Sequence, residues 1–144
     1  MSSLGLFKGE QALVTGSASN IGRAMALAIA AEGAQVRCID VDAARNASVA
    51  EEIVKAGGRA EAVTVDLSTT DGWRAALPAA GQAPSIFVHS ASPPRREADG
   101  PLTVSEATWD AMQNTNLRSG FFLARELGLR MREAGIKGRM LFIT

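Results

Sequence analysis

Short apolar runs alternate with longer helical stretches along this chain, which predicts a doubly wound α/β fold, a parallel sheet with helices on both faces. Two further observations support that class. The apolar runs are near-continuous rather than alternating, as expected of strands covered on both sides. A glycine-bearing turn also leads from the first run straight into a helix.

The elements read off in order. Gln11–Thr15 (QALVT) is the first strand. Residues 21–32 form a helix with Ile21, Met25 and Ile29 on one face, stopped at Gly33. Gln35–Asp40 (QVRCID) is the second strand. Residues 43–56 form a helix with Val49, Ile53 and Ala56 on one face and Asp42 as a candidate cap. Residues 60–66 (AEAVTVD) are the third strand, 71–80 a short helix interrupted by Pro78, and 86–90 (IFVHS) the fourth strand. A loop bearing Pro93, Pro94, Arg95 and Arg96 follows. Thr103 and Glu106 have capping-box spacing and open a long helix running to about Glu133. That helix carries Trp109, Met112, Leu117, Phe121 and Phe122. Residues 138–144 (GRMLFIT) are a fifth strand. No repeat or linker interrupts residues 1–144, so they read as one domain.

Composition narrows the function. The chain has 144 residues, 47% hydrophobic and 21% charged, with formal net charge zero, which favours neither nucleic acid nor an anionic membrane as partner. No run is long enough to span a bilayer, and the N-terminus lacks a secretory core, so a cytoplasmic location is expected. Cys38 is the single cysteine and sits in an apolar run, which predicts a buried, inert thiol.

The chemistry concentrates at strand ends. After the first strand comes Thr15-Gly16-Ser17-Ala18-Ser19-Asn20-Ile21-Gly22, and a helix begins at once. Unpaired N–H groups and a partial positive charge at a helix N-terminus suit a pyrophosphate. Gly16 permits the tight turn, and Gly22 lets helix and strand approach. Asn20 tolerates positive φ better than most side chains. Ser17 and Ser19 offer hydroxyls to a phosphate or ribose. Asp40, at the end of the second strand, can accept hydrogen bonds from both hydroxyls of an adenosine ribose, with Val41 beside it. A 2′-phosphate there would meet its charge. Losing a charged hydrogen bond costs about 1.5–3 kcal/mol, a preference of about tenfold or more for NAD over NADP.

Read together, this loop resembles the TGxxxGxG loop of the short-chain dehydrogenase/reductase family, with Asn20 in place of the middle glycine. Later landmarks fall in order along the whole chain. Asp66-Leu67 matches the acidic residue and neighbour that support the adenine. His89-Ser90-Ala91-Ser92 stands where the family usually has NNAG. Trp109-Asp110 through Asn116-Leu117 matches WDxxxxxNL. The resemblance implies a Rossmann-like, dinucleotide-binding domain and a hydride exchange between an alcohol and a carbonyl with a nicotinamide dinucleotide, NAD being the form that Asp40 favours. It implies that Asn116 interrupts its helix and holds a water in a proton relay to a catalytic lysine. It implies cofactor contacts from Ser90, Ala91 and Ser92, and a structural rather than catalytic role for His89. It also implies a homo-oligomer, dimer or tetramer, packed through the long helix, with Phe121 and Phe122 as candidates for the interface. Two Asn, a Thr and Gly120 are weak helix formers in mid-helix, which agrees with a local distortion near Asn116.

In the family a serine and a YxxxK motif follow the fifth strand. Here the sheet is expected to be truncated after the fifth strand, leaving an apolar edge. The 144 residues contain no tyrosine, and Lys8, Lys55 and Lys137 lie in no such motif. The isolated chain is therefore expected to be inactive. A non-catalytic dinucleotide-binding or scaffold module is the alternative; a methyltransferase is disfavoured by the loop spacing. The substrate, a small-molecule alcohol or carbonyl, is not legible beyond that class. Arg95 and Arg96 could meet an anionic group or be solvated loop charges.

Overall fold

A computed structural model describes residues 4–94 and 100–143. Among the described residues five strands form one parallel sheet in the order β3-β2-β1-β4-β5. They are β1 (Gln11–Thr15), β2 (Gln35–Asp40), β3 (Arg59–Thr64), β4 (Ile86–His89) and β5 (Arg139–Phe142). The helices are α1 (Asn20–Ala31), α2 (Ala43–Lys55), α3 (Thr70–Ala76), α4 (Glu106–Gln113) and α5 (Gly120–Glu133). Chain order runs outward from β1 to β3, then jumps back across β1 to β4. That reversal creates a crevice beyond the C-terminal ends of β1 and β4.

Side chains of a strand alternate between faces, and here both faces are covered. On one side Val14, Val36, Cys38 and Val88 pack with Ala26, Ile29, Val49 and Ile53 of α1 and α2. On the other, Leu13, Ile39 and Phe87 pack with Trp73 of α3 and with Leu123, Leu127 and Met131 of α5. Cys38 is fully buried, and burial pushes its thiol up to about 11, as its apolar run predicts. Glu10 and its neighbours brace the opposite end of the sheet. One Glu10 carboxylate oxygen accepts from Ser85 Oγ at 2.7 Å and Arg139 at 2.9 Å, tying β1, β4 and β5.

Several local expectations change. Ile21 is 53% exposed rather than core; Ala26, Ile29 and Ala30 form the buried stripe of α1. Likewise α2 buries Asn46, Val49, Ala50 and Ile53, while Ala56 is exposed. Asp42 does cap α2, accepting the Arg45 N–H at 3.0 Å. Strand β3 ends at Thr64, so Asp66 lies in the following turn. Helix α3 ends at Ala76 because Leu77, before Pro78, is forced extended. The long helix is capped by Ser105, which accepts the Thr108 N–H at 3.1 Å, and not by Thr103, whose hydroxyl accepts from Gly100 N–H. Between α4 and α5, Asn114–Ser119 form a π-helical turn, the distortion that the weak helix formers predict. Strand β5 is exposed along its length, with Met140, Leu141 and Phe142 each about two-fifths accessible.

Candidate functional site

A cleft of about 230 Å³ opens at the C-terminal ends of the strands, where the strand order reverses. Gly16 forms one wall, and Asp40, Val41, Asp66 and Leu67 form the side under β2 and β3. Ala91, Ser92, Pro93 and Pro94 come from the β4 loop, and Ala111 and Thr115 from the long helix. Seven of the residues singled out from sequence thus meet in one cavity. Arg95 and Arg96 fall outside the described residues.

The loop after β1 is built by close backbone approach. Gly16 has φ +69°, and a Cβ there would stand 2.7 Å from the Ser90 carbonyl oxygen and 2.8 Å from Ala91 Cα. A Cβ on Gly22 would overlap the Gly16 carbonyl. Asn20 has φ 46°, the one positive value among described non-glycine residues, as its place in the loop requires. Ser19 occupies the N-cap position of α1, exposed and making no side-chain cap bond. Asn20 and Ile21 follow it, both exposed, and neither is among the residues lining the cleft.

Ser17 departs from expectation. It is fully buried, and its hydroxyl donates to Asn46 Oδ1 at 2.7 Å, with the Ile39 carbonyl at 3.2 Å. That side chain holds the loop from beneath and does not offer its hydroxyl to a ligand in the cleft. Asn46, which the sequence reading passed over, completes the latch. Its Nδ2 donates to the carbonyls of Cys38 at 3.0 Å and Val63 at 3.2 Å, so one amide joins the loop to the ends of β2 and β3. A signal was present: Asn46 shares a helical face with Val49, Ala50 and Ile53, where a polar residue needs buried partners.

Asp40 is half-buried. Its Oδ2 accepts the Ala18 N–H and its Oδ1 the Asp42 N–H, each at 3.0 Å. Each oxygen has a further lone pair, so the carboxylate can brace the loop and still receive a ligand hydroxyl. Asp66 is exposed and accepts the Ser68 N–H at 2.9 Å, with Leu67 buried beside it.

At the end of β4, His89 is 2% exposed. Its Nδ1 lies 2.9 Å from Thr15 Oγ1, and its Nε2 lies 3.1 Å from the carbonyl oxygens of both Thr115 and Asn116. Burial lowers its pKa below the ordinary value of 6.5, and the two carbonyl contacts offset part of that shift. A ring held this way packs and bonds; it does not face the cleft as a free base. Ser90 and Ala91 direct their N–H groups to Thr15 Oγ1 at 3.2 Å. Asn116 is exposed beside the cleft helix and borders a neighbouring groove with Trp109 and Met112. Among the described residues, no three His, Cys, Asp or Glu side chains gather in a metal-binding group, and no helix is long and apolar enough to cross a membrane.

A parallel sheet with this strand order, a glycine turn under a helix N-terminus and an acid at the end of β2 define a dinucleotide-binding fold of the Rossmann type. The family model described as short chain dehydrogenase matches residues 10–144, and the chain belongs to that family. It is 30% identical over 141 residues to 2-dehydro-3-deoxy-D-gluconate 5-dehydrogenase of Escherichia coli (strain K12), covering 95% of this chain and 54% of that protein. It is 32% identical over 130 residues to D-threitol dehydrogenase of Mycolicibacterium smegmatis, covering 88% and 49%. Among solved structures it matches a metagenomic short-chain oxidoreductase in complex with NADP, at TM-score 0.81 and 33% identity over 93% of this chain and 60% of that one. L-sorbose reductase from Gluconobacter frateurii, complexed with NADPH and L-sorbose, matches at TM-score 0.80 and 27% identity, covering 90% and 50%. The chain spans about half the length of the curated relatives it matches.

Proposed function

We propose that these residues form the cofactor-binding portion of an NAD(H)-dependent oxidoreductase that interconverts an alcohol and a carbonyl. The observation that carries this reading is the cleft itself: Gly16 and Asp40 line it together at the reversal of strand order. The nicotinamide cofactor would supply the hydride. The loop 16–22 would hold the pyrophosphate at the α1 N-terminus, Asp40 and Val41 the adenosine ribose, and Asp66 and Leu67 the adenine. Ser90, Ala91 and Ser92 would line the far side through their backbone, and Asn116 would support the proton relay.

NAD(H) should bind the wild-type chain about tenfold or more tighter than NADP(H), because Asp40 opposes a 2′-phosphate. Asp40→Ser should bring the two toward parity. It should also weaken both somewhat, since Asp40 braces Ala18 N–H. The ratio from calorimetric titration is therefore the reading, and tighter NADP(H) binding by the wild type overturns it. The NADP complexes of the neighbours make that the competing outcome. In the same samples the 144 residues should bind cofactor without turning over alcohols or ketones, because they hold no tyrosine to protonate the developing oxyanion. A longer product carrying serine, tyrosine and lysine in the family order should be active. A product that binds cofactor but lacks that motif would favour a non-catalytic binding module.

The same proposal includes self-association through the long helix. Trp109, Leu117 and Phe121 are each more than half exposed along α4, the π-turn and α5. Phe122 is partly buried: it stacks on Trp73 at 5.2 Å and meets Phe121 edge to face at 5.3 Å. Phe121→Glu should shift the protein toward monomer in sedimentation equilibrium, while an unchanged mass would reject this face.

A further inference from the structure

His89 is the sole histidine, and its environment dictates one tautomer. Thr15 Oγ1 accepts two backbone N–H groups, from Ser90 and Ala91, so its own proton is directed to His89 Nδ1. On the other side of the ring two carbonyl oxygens face Nε2. Carbonyls only accept, so Nε2 carries the proton and donates to both. Ser119 Oγ donates to the same Thr115 carbonyl at 2.7 Å. The carbonyls at this turn thus find side-chain partners where the helix widens to π spacing. Space is matched as well: a Cβ on Gly120 would stand 2.7 Å from His89 Cδ2 and 2.9 Å from Nε2. A side chain at residue 120 would push the ring off the turn.

We propose that His89 is a positioning residue: its imidazole ties the backbone of Ser90 and Ala91, through Thr15, to the π-turn that carries Thr115 and Asn116. Thr115 and Ala91 both line the cleft, so the ring sets the spacing there between the π-turn and the loop after β4. The part of this assignment that concerns cofactor rests on the function proposed above.

Truncations at residue 89 separate the two sides of the ring. An Asn side chain places its polar atoms near the position of Nδ1 and keeps only the Thr15 side. A Gln side chain reaches the position of Nε2 and keeps the donor to the π-turn. His89→Asn should accelerate hydrogen exchange of the backbone amides at 119–121 about tenfold, the effect of one lost hydrogen bond. His89→Gln should stay within about threefold of wild type. NADH dissociation constants from calorimetry should follow the same order, Asn weaker than Gln. Long-range proton–nitrogen spectra of the wild-type ring at neutral pH should show the proton on Nε2.

A ring protonated on Nδ1 overturns the proposal, as does an Asn variant whose π-turn exchanges as slowly as wild type. Equal losses in both variants would assign His89 to general packing and also reject it. If the wild type binds neither NADH nor NADPH, the cofactor reading fails by itself, and exchange and tautomer still decide the tie between Thr15 and the π-turn.

Discussion

Gly22→Ala is expected to destabilise the chain by about 2 kcal/mol or more and to abolish measurable cofactor binding. Two effects of opposite sign compete. Alanine is the better helix former by about 1 kcal/mol, and Gly22 lies inside α1. Against this, the new methyl overlaps the Gly16 carbonyl group and lies 3.3 Å from Ser17 N. These are backbone atoms of a turn held by Gly16 N–H on the Ile39 carbonyl at 2.8 Å, so they cannot swing aside as a side-chain tip would. Overpacking in such a site costs about 1–3 kcal/mol and sometimes more, and here it wins. Gly128→Ala is the control. It sits in α5, where the added methyl meets Met140 Cε at an ordinary 3.5 Å, and it should stabilise by up to about 1 kcal/mol. Urea unfolding of the two variants, with calorimetry against NADH, reads the difference. A Gly22→Ala chain as stable as its parent would show that the loop yields.

Asn46→Leu is expected to cost about 3 kcal/mol although the side chain keeps the same branching. The substitution removes the amide donor to the carbonyls of Cys38 and Val63, which lie on the paired strands β2 and β3, and the acceptor for Ser17 Oγ, beneath α2. Each of the three lost hydrogen bonds contributes about 1 kcal/mol. Ser17 recovers part of this by re-aiming at the Ile39 carbonyl, already 3.2 Å away. Ser17→Ala should therefore be milder, about 1 kcal/mol. A double-mutant cycle should give a coupling of about 1 kcal/mol, since the pair shares one hydrogen bond. Additive losses would show that Asn46 holds the strands without holding the loop. Weaker NADH binding in Asn46→Leu would show that the latch shapes the cleft.

These residues also show what could be read from sequence. β1 and β2 were legible to the residue because a buried parallel strand is a continuous apolar run closed by Thr15 or Asp40. The loop was legible because backbone geometry chooses residue types: Asn20 at φ 46° and the glycines on either side are local demands. The π-turn was legible as a weakness in the helix, but not as a contact. That His89 faces it depends on a strand end meeting a helix 26 residues later. Ser17 was misread for the same reason. Its hydroxyl suits a phosphate or an amide equally, and only the position of Asn46 decides between them. Ser105 displaced Thr103 as the cap because the turn at Gly100 engages the Thr103 hydroxyl and the helix begins at Glu106.

The strand order also bears on how the chain is made. β1 ends up flanked by β2 and β4, and its pairing with β4 joins Ala12 to Ile86 and Thr15 to His89. On a ribosome β1, β2 and β3 emerge first and can pair among themselves, leaving the inner edge of β1 open. Thr15 waits 74 residues for His89, and such a non-local pairing is slow to form. Until β4 arrives, Leu13 and Val14 stand at an unguarded apolar edge, the kind that recruits strands from other chains. The reversal that opens the cleft in the finished molecule is, during synthesis, the step at which the nascent chain most needs protection.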